Sequence, residues 1–134
     1  MKIAVECHSQ RNQLIADTYF RLRREHPELR PLEIFEQIVR LPAPRFYVSS
    51  ERALRVTYSL MNHASIDHMQ PTRARMFRDL LKVIERLRAE RPRLSLPRIV
   101  EEAIMTPAPE LYLTALSARQ YFYIHQRRRH KRDR

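Results

Sequence analysis

Glycine is absent from all 134 residues. At average usage a chain of this length would carry roughly nine. Phosphate-binding glycine loops, dinucleotide fingerprints and nucleophile elbows need backbone conformations that other residues supply poorly, so all three are excluded. Tight Asn-Gly hairpins are excluded on the same ground. Cysteine occurs once, at Cys7, so no internal disulfide can form, which fits a reducing compartment. No apolar run reaches the roughly eighteen residues that span a bilayer, and MKIAVECHSQ lacks the long apolar segment of a signal peptide. The expectation is a cytoplasmic protein with no membrane partner.

What is present is helix-forming sequence punctuated by proline, with 43% hydrophobic residues. That is enough for a packed interior. One phrase occurs twice: residues 42–58 read PAPRFYVSSERALRVTY and residues 107–123 read PAPELYLTALSARQYFY. The offset of 65 pairs Pro42 with Pro107, Pro44 with Pro109, Tyr47 with Tyr112 and Tyr58 with Tyr123. Upstream it pairs Leu22 with Leu87, Pro27 with Pro92, Ile34 with Ile99 and Glu36 with Glu101. An ungapped match of this extent points to tandem duplication of a unit of about fifty residues. One such unit buries too little surface to be stable alone, whereas two packed together do not.

Taken in order, residues 1–9 alternate Ile3, Val5 and Cys7 with polar neighbours and predict a short strand or an extended arm. A long helix is predicted from about residue 10 to 26 on the spacing of Ile15, Tyr19 and Leu22, and recurs as Met76, Leu80, Ile84 and Leu87. Each ends at a proline phrase, because the residue before proline is driven out of the helical region. Short second helices follow at about 31–40 and 96–105, opened by Pro31 and Pro97. The Pro-Ala-Pro links predict extended backbone, with Phe46, Tyr47 and Tyr112 anchoring it or pairing as a tiny ribbon. Ser49 or Ser50 and Thr114 are cap residues for third helices.

The expected fold is therefore all-α. It is a pseudo-two-fold domain with repeat 1 at 10–61, a linker at 62–71, repeat 2 at 72–126 and a basic tail at 127–134. The offset predicts burial of Ile15/Leu80, Leu22/Leu87, Ile34/Ile99 and Ala53/Ala118, with Tyr47 and Tyr112 in equivalent buried places.

Charge is unevenly placed. Residues 1–65 and 66–126 each carry ten basic and seven acidic side chains, whereas the last eight residues carry six and one. Six like charges in eight residues repel, so the tail is expected to fray. Arg127, Arg128, Arg129, Lys131, Arg132 and Arg134 form a dense source of positive charge that favours polyanions. Arg75, Arg78, Lys82 and Arg86 recur at three- or four-residue steps, a stripe that suits a phosphate backbone or a solvated helix face. Arg45, Arg52 and Arg55 surround the start of a third helix, where Glu110, Ser117 and Gln120 stand in the other copy. A link of about eight residues with two prolines departs from the short turn of a helix-turn-helix.

Catalysis has little to build on. Cys7 and His8 are adjacent, and adjacent side chains rarely face one another. The six histidines show no metal-ligand spacing. No cofactor is implied. The expectation is a non-enzymatic nucleic-acid-binding protein, of DNA before RNA. The alternative is a protein-binding adaptor or assembly subunit that uses the aromatic links. Nothing in the sequence fixes an oligomeric state.

Overall fold

The computed structural model describes residues 2–132. Among them lie six helices and no strand: α1 (Lys2–Glu25), α2 (Pro31–Ile38), α3 (Ser50–Met61), α4 (Pro71–Glu90), α5 (Leu96–Ile104) and α6 (Ala115–Arg132). No helix among the described residues is long and apolar enough to cross a membrane.

The ends of the helices follow local chemistry. The two long helices stop alike at the proline phrases, where His26 N–H donates to the Leu22 carbonyl at 2.7 Å and Arg91 N–H to that of Leu87 at 2.8 Å. The Ser49 hydroxyl accepts from Arg52 N–H at 3.2 Å to cap α3, and the Thr114 hydroxyl accepts from Ser117 N–H at 3.1 Å before α6. These are side-chain caps on donors that the helix cannot satisfy itself.

Both ends of the described chain are helical. The arm or strand predicted over 1–9 is instead part of α1, which starts at Lys2. Cys7 and Arg11 are buried and continue the face of Ile15 and Tyr19 upstream at four-residue steps. A helical period therefore overrides the short alternation. The basic tail continues the third helix, because α6 runs to Arg132. Arginine and lysine are good helix formers, and cations are favoured at a helix C-terminus. Arg134 lies outside the described residues.

The six helices form two compact units. Unit 1 holds α1, α2 and α6; unit 2 is the continuous segment Pro42–Tyr112, with α3, α4 and α5. Each unit thus takes its first two helices from one sequence repeat and its third from the other. The compact units therefore do not coincide with the repeats expected at 10–61 and 72–126. The chain between α2 and α3 is held extended by proline, so it carries α3 on towards α4 and α5.

In unit 1, Ile15, Tyr19 and Leu22 pack with Ile34, Phe35 and Ile38 and with Ala118 and Phe122. The Phe122 ring lies 4.5 Å from Tyr19 and 5.6 Å from Phe35, and Tyr19 stacks on Phe35 at 4.9 Å. In unit 2, Phe77, Leu80 and Ile84 pack with Ile99, Val100 and Ala103 and with Ala53 and Val56. All four residue pairs that the offset marks as core are buried.

The predicted ribbon is reduced to one antiparallel bridge, Ala43 with Ala108, its two N–H···O bonds both 2.9 Å. Proline on either side of each alanine removes the neighbouring donors, so no ladder can extend from it. The tyrosines are not equivalent. Tyr112 is buried with a left-handed backbone (φ 57°), stacks on Phe46 at 5.9 Å and donates to an Asp79 carboxylate oxygen at 2.7 Å. Tyr47 is only half-buried.

Without glycine, α3 ends in a Schellman motif built on histidine. His63 N–H donates to Leu60 and Ala64 N–H to Ser59, with His63 at φ 63°. A side chain at that position costs about 1 kcal/mol relative to glycine. His63→Gly is expected to raise stability by about 0.5–1 kcal/mol, read as a higher denaturation midpoint at unchanged m-value. Phe122→Ala is expected to cost about 3–5 kcal/mol. Its hydrogen-exchange signature tests the helix exchange: protection falls in α1 and α2 while α4 and α5 keep theirs. Loss in α4 and α5 instead would mean that α6 packs within its own repeat.

Candidate functional site

Apart from the end of α6, the basic residues singled out in the sequence fall into three environments. The first is the stripe on α4, where every cation has a carboxylate partner. Arg75 grips Glu110 through two bonds of 2.6 and 3.1 Å, and Arg78 meets Asp67 at 2.8 Å. Lys82 lies 4.0 Å from Asp79, and Arg86 lies 4.0 Å from Glu90. Exposed pairs of this kind contribute little to stability, but they cancel the local field. The Glu110 hydrogen bond also holds the Arg75 guanidinium above its ordinary pKa. Arg75 and Glu110 frame the buried Tyr112, whose phenol is pushed up first by burial and then by its bond to Asp79.

The second environment is the link. Arg45 donates through Nε to the Phe46 carbonyl at 3.2 Å and through Nη2 to the Val48 carbonyl at 3.4 Å, with its guanidinium over the Tyr47 ring. It caps its own loop. Of the aromatics that the links offered as a contact surface, Phe46 and Tyr112 belong to the core of unit 2 and Tyr47 is half-buried.

The third environment is different. Arg52 and Arg55 stand one turn apart on α3 beside a pocket of about 360 Å³, lined also by Val56, Ser59, Ser65, Ile66, His68 and Met69. Arg73, on the first turn of α4, adds its charge from close by. Neither arginine of α3 nor Arg73 has its guanidinium in an ion pair or side-chain hydrogen bond among the described residues. Glu51, one turn before Arg55, does not pair with it, and Asp67, in the loop that lines the pocket, is held by Arg78.

Burial, followed by the charges of Arg73 and Arg55, pushes the pKa of Arg52 down. Arg52 also sits in the first turn of a helix, where the dipole disfavours a cation. Three separate electrostatic costs thus converge on this one place. Arg73 was not among the residues marked from sequence. Its neighbours at three and four positions are Met69, Gln70, Met76 and Phe77, none acidic, and that absence is the signal that could have found it.

On α6, Arg127, Arg128, Arg129 and Lys131 are exposed and unpaired among the described residues. Arg132 is within the helix, and its side chain lies outside the described residues. A second cavity, of about 430 Å³, is lined by Arg88 together with Glu85 and apolar residues, so its charge is balanced. Among the described residues no group of three or more His, Cys, Asp or Glu side chains could hold a metal ion. Cys7 is buried, at 2% exposure. No protein-family model, curated protein or solved structure matches the chain.

The unpaired cluster has a cost that can be measured. Arg55→Gln is expected to stabilise the protein by about 0.5 kcal/mol at low salt, by relieving like-charge repulsion, with the gain fading as salt screens it. Arg75→Gln is expected to destabilise it under the same conditions. Thermal melts of the two variants at low and high ionic strength check the contrast.

Proposed function

We propose that the protein is a small, basic, non-enzymatic nucleic-acid-binding protein. The observation that supports this is how cations and carboxylates are distributed. Those of the α4 stripe are matched one for one by Glu110, Asp67, Asp79 and Glu90. Arg52, Arg55 and Arg73 in unit 2, and the exposed end of α6 in unit 1, have no such partners among the described residues. Cations left without carboxylates are free to neutralise phosphates and release counterions, which is the main source of affinity for a polyanion.

The stripe and Arg45 then serve structure, and the two unpaired groups serve binding. The end of α6 supplies affinity without regard to sequence, because phosphate contacts position a protein but carry no base information.

We also infer that the chain arose by tandem duplication and that the two copies have since diverged in charge. At the offset of 65, Arg52, Arg55 and Arg73 correspond to Ser117, Gln120 and His8. The basic cluster therefore belongs to one unit and not to the other.

Binding to a mixed-sequence duplex and to single strands, followed by fluorescence anisotropy over a salt series, tests the proposal. Replacing Arg127, Arg128, Arg129 and Lys131 by glutamine is expected to weaken binding similarly on all sequences. It should also flatten the slope of log affinity against log salt by up to about four. The same replacement of Arg75, Arg78, Lys82 and Arg86 is expected to change the slope little. Absence of binding by the unaltered protein at low salt would sink the proposal and leave the adaptor alternative in its place.

A further inference from the structure

The pocket beside α3 has a shape as well as a charge. Its lining combines apolar Val56, Ile66 and Met69 with Arg52, Arg55 and His68. Its volume of about 360 Å³ is at the small end of the range of small-molecule sites, and it is a shallow recess about half open to solvent.

An internal phosphodiester in a strand carries a single negative charge and has sugar on both sides. It suits a groove or an open face with cations at its edge. A terminal phosphate monoester carries close to two charges near neutral pH and presents three oxygens that accept strongly. Such a group calls for several donors at one end of a recess, with room behind it for only one sugar. Guanidinium groups provide those donors as a rigid fork that matches phosphate oxygens two at a time. Here two of them face the recess, a third raises the local field, and no carboxylate lines the pocket.

We propose that this pocket takes the phosphate monoester at the end of a nucleic-acid strand, with Arg52 and Arg55 on its oxygens and the terminal sugar against Val56, Ile66 and Met69. Arg73 acts through its charge and does not line the recess. The proposal rests on the nucleic-acid-binding reading given above and goes beyond it by naming the group that the site holds.

The test uses the full-length protein and one single-stranded sequence in three forms, labelled internally: phosphate at the 5′ end, phosphate at the 3′ end, and neither. The expected result is that one phosphorylated form binds at least about tenfold tighter than the unphosphorylated strand, the scale of one added charge-assisted interaction. That preference should fall to about unity in Arg52→Gln and in Arg55→Gln. The ratio of phosphorylated to unphosphorylated affinity is what is read, because each substitution also lowers binding of the unphosphorylated strand by the loss of one cation. A nucleoside monophosphate should displace the preferred strand where the nucleoside does not. Arg55 is exposed, so Arg55→Gln keeps the comparison sound even if Arg52→Gln lowers the melting temperature.

Equal binding of all three strands, or a preference that survives both substitutions, overturns the proposal and leaves backbone binding standing. A phosphoserine peptide that binds as tightly as the phosphorylated strand overturns it as well, because the occupant is then a phosphopeptide. Failure of every strand to bind removes both readings together.

Discussion

An alanine between two prolines holds the one amide hydrogen in its triplet. In this chain that situation arises twice, at Ala43 and at Ala108, and each alanine donates its hydrogen to the carbonyl of the other. Both alanines are buried, so an unpaired amide at either would cost about 1–3 kcal/mol. The bridge lies inside unit 2, next to the places where the chain enters and leaves it. Around it Phe46 donates its amide to the Ile104 carbonyl and stacks its ring on Tyr112. The directions in which α3 departs and α5 arrives both follow from this knot. Substitution by any larger residue at Ala43 would press against the facing link.

The lack of glycine bears on the same region. Left-handed backbone is needed at two described positions, and the chain fills them with His63 and Tyr112. At His63 the cost is local and is offset by the two amide bonds that close α3. At Tyr112 it is offset by burial of a whole aromatic side chain and by the bond to Asp79. Tyr47, the matching residue of the other repeat, has no positive φ and stays half-buried under Arg45. The two tyrosines thus differ in backbone as well as in environment, and their neighbours differ too, with Arg45 beside one and Glu110 beside the other.

Helices, caps and core positions were legible because they are local. Helical period marks Ile15, Leu22, Leu80 and Leu87, proline marks the stops, and Ser49 and Thr114 mark the starts. The exchange of third helices was not legible, since periodicity says which face of α3 or α6 must be covered and nothing of what covers it. At residues 1–9 two periods competed, and the longer helical face won. For charge, Arg75 and Arg78 looked free because their partners Glu110 and Asp67 are distant in sequence. Arg52 and Arg55 were visible, but the third member of their cluster lies beyond the linker.

The exchange of α3 and α6 also has a consequence for synthesis. Unit 2 is one uninterrupted stretch, Pro42–Tyr112, so all of its parts leave the ribosome together and can close at once. The first two helices of unit 1 are made earliest, yet they wait for Phe122 to cover Tyr19 and Phe35. The order of completion is thus the reverse of the usual N-terminal-first sequence of folding. During that interval α1 and α2 expose an apolar face that a chaperone, or a second nascent chain, could occupy.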